Sequence, residues 1–470
     1  MNKKFVINKL KEIVSKKNVI TNKNVLDKFN NDWRGYYNFK SICAVLPESV
    51  IDITKIIKFC NQENIKIVPQ AGNTSLTGAS VPSKNDYEII LNCKKMNKIL
   101  AIDKDNLLIE VEAGASLDSV KEYVSKNNFY FPISLSSSGS CLIAGNIATN
   151  AGGVNALKYG TMRDNLQGIE IVLADATKIR VMSPMKKNNT GYDIKNLFCG
   201  SEGTLGIITK ALLKIYPKPK DFFHCIFAFK SIANTVDFFK EFYKLFNEKL
   251  ESAEIIPKIS IDLTIKHGFL KQSFFNKEYD SYLLCKFSLF EEKQYFENIF
   301  LQNINKIKNK FEDLVIPQSI QQENNLWKFR DDLVESYKIE GQFITNDISL
   351  PINNLVNFIT IASNKIDKLI PNTRIYCFGH LGDGNIHFNM IQPVNYKENF
   401  NKYRDTIYQL VNDIVYDLGG SFSAEHGIGQ IKKDSLIKYK DINEIKLMKK
   451  IKLSLDPKNI FNPGKIFDLD

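Results

Sequence analysis

The sequence predicts an α+β fold. Strand-like and helix-like segments are mixed without a regular βαβ repeat, glycine-rich turns separate them, and a proline-marked stretch, KIYPKPKD (214–221), divides the chain. With 470 residues, 44% of them hydrophobic and 24% charged, the chain can build two or three packed domains of ordinary globular composition.

Taken in order, residues 1–38 read as a helical N-terminal segment and 39–218 as a first domain. SICAVLP (41–47) and IKIVPQ (65–70) are strand patterns around an amphipathic helix at DITKIIKFCNQEN (52–64). YEIILNC (87–93) and LLIEVEAG (107–114) follow as strands, then a helix near SLDSVKEYVSKNN (116–128). IEIVLAD (169–175) and TKIRVMS (177–183) read as a hairpin. Residues 219–470 are expected as a second domain, opening with the strand HCIFAFK (224–230) and the long helix VDFFKEFYKLFNEKL (236–250). No internal repeat or low-complexity tract interrupts this order.

Several function classes are disfavoured at once. The net charge is +11, but only six residues are arginine and the lysines are spread along the chain, with no basic block interleaved with aromatics. Nucleic acid is therefore not an expected partner, whereas an anionic redox partner or peripheral contact with a membrane surface fits the charge. No run of 18 apolar residues suggests a span, and the lysine- and glutamate-bearing start does not resemble a secretory signal, so a cytoplasmic location is expected. The eight cysteines are scattered without a CxxC pair, which argues against an iron–sulfur cluster or structural zinc site and for buried thiols in a reducing compartment.

Three clusters of glycine and small polar residues mark the first domain: PQAGNTSLTGASVP (69–82), SLSSSGSCLIAGNIATNAGG (134–153) and GSEGTLGIIT (200–209). None is a GxGxxG fingerprint. Small residues nevertheless let backbone N–H groups approach a pyrophosphate, and Ser, Thr and Asn add neutral donors. Turns alone would explain any one cluster; three together suit a long dinucleotide.

Histidine is scarce, five in all, and three of the five fall in two glycine-edged motifs, FGHLGDGNIH (378–387) and SFSAEHGIG (421–429). Asp383–Gly384 is a two-residue hairpin signal. With that turn, 382 pairs with 385, and His380 stands directly opposite His387 with Cβ atoms roughly 5 Å apart. Asn389, two residues on, shares their face. Two imidazoles with a carboxylate such as Glu425 would leave positions open on a metal, the catalytic pattern. Core histidines are the plain alternative.

These motifs carry a resemblance. PQAGNTSLTGASVP, GNIATNAGGVNALKYGTMRDNLQGIEIVLAD and NTGYDIKNLFCGSEGTLGIIT resemble the FAD domain, of the type found in p-cresol methylhydroxylase (PCMH-type), of the FAD-linked oxidases of the vanillyl-alcohol oxidase superfamily. The likeness runs from NDWRGYY (31–37) to DPKNIFNPGKIF (456–467). It is strongest to the branch of D-2-hydroxyglutarate dehydrogenase, D-lactate dehydrogenase and the glycolate oxidase flavin subunit. The resemblance implies a two-part FAD-binding domain followed by an α+β substrate domain with an antiparallel sheet. By it, Gly72, Asn73, Thr74 and Ser75 would hold the FAD pyrophosphate. Gly139, Gly145, Asn146, Thr149 and Gly153 would line flavin and ribityl chain, Gly203 and Ile208 the adenine end, and Asn462 would approach the flavin ring. Ala71 and Ala176 depart from family glycines; Ala176 is expected to matter little. No histidine lies in the first domain, so the FAD is expected to be non-covalent.

The C-terminal motifs match family segments that bind a divalent metal, commonly zinc. The match implies His380, His387 and Glu425 as ligands and His426 as general base in oxidising a D-2-hydroxy acid, with hydride passing to flavin N5 and electrons to an external acceptor: a quinone, cytochrome or electron-transfer flavoprotein. In LWKFRDDLVESYKIEGQFITNDISLP (326–351), Arg330 matches an arginine that grips a carboxylate, and Asn389 and Thr345 complete the substrate set. The hydroxyglutarate enzymes carry threonine and lysine where this chain has Val334 and Thr345, which leaves D-2-hydroxyglutarate, D-lactate and glycolate open. An alkylglycerone-phosphate synthase-like transferase and a non-catalytic flavin subunit of a complex are the competing readings; a homo-oligomer is compatible with either.

Overall fold

The computed structural model describes residues 2–84 and 87–469. They form two compact units, one of the described residues within 1–153, 160–218 and 425–470, the other of 154–159 and 219–424. The second unit begins at the expected boundary near 218, and from residue 425 the chain packs again with the first unit. The reason is backbone pairing. Ile67 N–H donates to the Ile460 carbonyl at 2.8 Å and Asn462 N–H to the Ile67 carbonyl at 2.8 Å, so the C-terminal segment extends a sheet begun near the N-terminus.

In the first unit the chain starts with helices Lys3–Ile13 and Lys23–Asn30. A four-stranded sheet follows, parallel through Ala44–Val45, Glu88–Asn92 and Lys66–Gln70. Helix Val50–Gln62 forms for legible reasons. Ser49 accepts the Asp52 N–H, Asp52 sits in the positive first turn, and Ile53, Ile56, Ile57 and Cys60 make one buried stripe. A second, antiparallel sheet of five strands runs through Ile99–Asp103, Leu108–Glu112, Ile207–Lys214, Leu166–Val172 and Lys178–Val181. The expected hairpin closes as read. Its turn residue Ala176 has φ 68°, a left-handed conformation that an alanine adopts only at a cost of about 1 kcal/mol. The position thus carries a cost in stability that the sequence reading did not expect and that replacement by glycine should relieve.

The second unit is built on one antiparallel sheet of seven strands, in the order 313–315, 221–229, 281–289, 250–257, 374–380, 385–391, 343–349. One face carries Phe223, Phe227 and Phe287 into a core with helix Ile232–Phe246, whose Phe238, Phe239, Phe242 and Phe246 are all buried. Each such ring stabilises the unit by about 2–3 kcal/mol. The other face packs Tyr282, Leu284, Tyr376 and Phe378 with helices Lys258–Lys266 and Ile320–Lys338. Along that second face lie the polar residues that matter below. Among the described residues no helix is long and apolar enough to cross a membrane.

Candidate active site

In the first unit the three small-residue clusters converge. Gly72 runs so close to the Ser140 carbonyl that a Cβ there would lie 2.2 Å from its oxygen, and at Gly153 a Cβ would lie 1.9 Å from the Ser134 carbonyl oxygen. Gly145, Asn146 and Thr149 sit on or at the end of the short helix Ile143–Ala148, and Thr149 Oγ1 donates to the Gly145 carbonyl at 3.0 Å. Glu202 N–H donates to the Ala148 carbonyl at 2.8 Å, and a Cβ at Gly203 would meet the Pro69 ring at 3.0 Å. Gly139 lies on the exposed Ser-rich turn. Ile208 instead points into the core, 6% exposed.

Asn73 stands at φ 56°, with Nδ2 donating to the Asn31 carbonyl at 2.9 Å and Oδ1 accepting from Ser80 at 2.8 Å. Its side chain shapes the loop. Ser75 Oγ accepts the Thr77 N–H at 3.3 Å, which keeps Thr74 and Ser75 in one tight turn. Asn462 fastens two clusters, its Nδ2 donating to the carbonyls of Ala79 at 2.9 Å and Glu202 at 2.7 Å. Two buried atoms here have no partner, Asn146 Nδ2 and Asn462 Oδ1. Such orphans are costly unless a polar ligand meets them. With the close backbone approaches they fit an FAD.

From Glu425 onward the AEHGIG segment belongs to this same unit. Glu425 Oε1 accepts the Gly153 N–H at 2.9 Å, and the His426 carbonyl accepts from Thr77 Oγ1 at 3.3 Å. The segment is bend and irregular turn, and the chain just before it, at Ser421, bridges to Ser349. Glu202, which sequence reading missed, holds it by accepting the N–H groups of Ile428 and Gly429, each at 2.7 Å. Burial pushes this carboxyl up to about 7 against those two donors. Its only sequence signal is an acid inside a glycine cluster.

In the second unit, His380 and His387 lie on the hairpin Arg374–His380 and Asn385–Ile391. Its register differs from the expected one. His380 pairs with Asn385 and His387 with Phe378, so the loop holds four residues, 381–384. Leu381 is the cause: its side chain is fully buried and its N–H is taken by the Ala253 carbonyl of the neighbouring strand at 2.8 Å. The histidines are therefore diagonal rather than opposite, still on one face, with ring centroids 5.5 Å apart. Asn389 follows on that face directly opposite Thr345, and Asp347 lies opposite His387. Asn389 Oδ1 is buried without a partner.

Two acids unforeseen in the sequence hold this row. Asp347 accepts from Asn385 Nδ2 at 3.0 Å and lies 4.0 Å from His387 Nδ1. Glu254, 1% exposed, accepts from His380 Nδ1 at 2.5 Å and from Arg330 Nε at 2.8 Å. Burial alone would raise the Glu254 carboxyl, but the charges of His380 and Arg330 outweigh it and hold it down at about 2. In its neutral form, with the proton on Nδ1 toward Glu254, His380 would have the Nε2 lone pair a metal site needs. A pair of imidazoles so aimed suits zinc or a similar divalent ion. The other two histidines are structural: Trp327 Nε1 donates to His224 Nδ1 at 2.9 Å, and His267 Nε2 meets Glu340 at 2.5 Å.

Residues 42–182 match the FAD binding domain family, and 218–466 match the family described as FAD linked oxidases, C-terminal domain. The chain is 32% identical over 463 residues to a mitochondrial D-2-hydroxyglutarate dehydrogenase of Arabidopsis thaliana, covering 97% of this chain and 80% of that protein. It is 30% identical to a D-2-hydroxyglutarate dehydrogenase of Xanthomonas citri (94% and 93% covered) and 31% to a D-2-hydroxyglutarate–pyruvate transhydrogenase of Saccharomyces cerevisiae (94% and 89%). Among solved structures, p-cresol methylhydroxylase superposes with a TM-score of 0.76 at 18% identity, covering 99% of this chain and 97% of that one. Alkyldihydroxyacetonephosphate synthase gives 0.75 at 17%, covering 98% and 85%. At those identities the likeness is one of fold, the PCMH-type flavin fold. With both family models matched in order along the chain, this protein belongs to the FAD-linked oxidases and is a flavin-dependent oxidoreductase.

Proposed function

We propose that the protein oxidises a D-2-hydroxy acid to the 2-oxo acid, with D-2-hydroxyglutarate the leading substrate. The observation that carries this is identity of 30–32% over nearly the whole chain to proteins named for that reaction. His426 accepts the hydroxyl proton on an imidazole nitrogen, Arg330 and Asn389 orient the carboxylate end, and Thr345 offers a neutral hydroxyl toward the rest of the acid. FAD, held non-covalently by the first unit, supplies the acceptor for the hydride leaving C2. A divalent ion held by His380, His387 and Glu425 would lower the pKa of the substrate hydroxyl and fix its pose.

The test is anaerobic titration of the purified flavoprotein with D- and L-lactate, glycolate, D-malate and D-2-hydroxyglutarate. Flavin bleaching by D-2-hydroxyglutarate, abolished by a chelator, is the expected outcome. Bleaching by D-lactate alone would mean that Thr345 marks a pocket without a distal carboxylate site. No bleaching of a loaded protein by any of these acids would overturn the reading. Acid precipitation should release all of the flavin into the supernatant.

The yeast relative's name favours a second reading for the electrons: return to a 2-oxo acid rather than transfer to a quinone, cytochrome or flavoprotein. Adding pyruvate to the bleached enzyme distinguishes them, since only the transhydrogenase reaction would restore the flavin absorbance.

A further inference from the structure

Glu254 lies in strand Leu250–Pro257, directly across from His380 on the adjacent strand. Each of its oxygens has a different partner. Oε1 takes His380 Nδ1 at 2.5 Å and Oε2 takes Arg330 Nε at 2.8 Å, the arginine reaching in from helix Ile320–Lys338. Arg330 stacks 5.4 Å from the Phe378 ring centroid, and Phe378 packs against His387 with centroids 5.1 Å apart. One carboxylate thus bears directly on one proposed metal ligand and on the proposed carboxylate grip, and through Phe378 on the second ligand.

We propose that Glu254 is a positioning residue shared by metal binding and substrate binding. This rests on the function proposed above. As a stability device the arrangement is poor, because a buried ion cluster gains little over well-packed apolar side chains. As an orienting device it is effective. The Nδ1 contact fixes the His380 tautomer and ring plane with Nε2 outward, while the Nε contact and Phe378 fix the plane of the Arg330 guanidinium. Ion and substrate carboxylate would then be set in register by a group that touches neither.

The experiment measures Zn²⁺ affinity by competition with a chromophoric chelator, on flavin-loaded protein stripped of metal, for the parent, His387→Ala, Glu254→Gln and Glu254→Asp. KM and kcat with the acid that bleaches the parent are measured at saturating Zn²⁺. Glu254→Gln is expected to weaken Zn²⁺ binding about 10–100-fold, the usual range for losing such a partner, and to raise KM even when Zn²⁺ is saturating. Flavin content should stay at the parental level. Glu254→Asp keeps the charge one methylene further back and should lose less; it is the variant read if Glu254→Gln fails to load flavin. Zn²⁺ affinity lost in His387→Ala but unchanged in both Glu254 variants would overturn this proposal alone. A parent that binds no Zn²⁺, or binds it equally well as His387→Ala, would overturn the metal reading and the shared role with it.

Discussion

At the scale of single residues, the site depends on groups whose neighbours decide their chemistry. His426 is anchored through its backbone to Thr77 and flanked by Glu425, itself bonded to the Gly153 N–H. Replacing it with alanine should slow anaerobic flavin reduction about 10²–10⁴-fold while leaving flavin content unchanged, as loss of a general base does; stopped-flow absorbance checks this. Ala176 makes the opposite prediction. Since it sits at φ 68°, Ala176→Gly should raise stability by about 1 kcal/mol, read as a higher denaturant midpoint. The sequence marked Ala176 as a departure from glycine but gave no sign of its cost, because φ is a property of the closed turn. His387 and Asn389 were legible as a pair from strand periodicity and His380 joined them through the hairpin signal, whereas Thr345 entered only through the family resemblance. Glu254 and Asp347 were not, because each meets its histidine across a strand pairing that local spacing does not encode.

Among the elements, those with strong local signals came out nearly as read. The helix expected at 52–64 is Val50–Gln62, and the strand expected at 65–70 is Lys66–Gln70. The histidine hairpin kept its strands and its shared face but lost its expected turn, because the Ala253 carbonyl competes for Leu381 N–H more successfully than a hairpin partner does. Tertiary pairing overrode a correct local preference there. Helix Ile442–Leu455 shows another feature hidden from periodicity. Its Lys452 is 3% exposed and donates to the carbonyls of Thr204 at 2.7 Å and Phe461 at 2.8 Å and to Asp456 at 2.5 Å. Lys452→Met would leave Asp456 buried without its cation. The expected cost is about 3–5 kcal/mol, with weakened flavin retention, measured by chemical denaturation and by flavin released on gel filtration.

Over the whole molecule, acid sensitivity is expected to start in the second unit. Burial, with Lys286 and Lys293, pushes His224 down to about 3 from an ordinary value of 6.5. Glu340 would be raised by burial, yet its hydrogen bonds to Lys266, Arg374 and His267 hold it at about 2 against an ordinary 4.5. Both folded values lie below the unfolded ones, so the stability they contribute is complete above the unfolded value and is lost as pH falls through the folded one. The His224 window is about pH 6.5 to 3 and that of Glu340 about 4.5 to 2, each with a slope of up to about 1.4 kcal/mol per pH unit. Denaturation followed by Trp327 fluorescence in a Trp33→Phe background should show this decline, and His224→Gln, whose amide can still accept from Trp327, should flatten its upper part. A slope unchanged by that substitution would assign the decline elsewhere. The return of the chain at residue 425 bears on how the protein is made. Before residues 425–470 are added, the growing chain already holds the three glycine clusters of the first unit but lacks Asn462, which ties two of them, and the EHGIG segment held by Glu202. The intervening sheet is almost wholly contiguous and can mature first. Flavin capture therefore belongs after residue 462 has been added, and a chain truncated before it should be competent to fold its second unit yet unable to hold its cofactor.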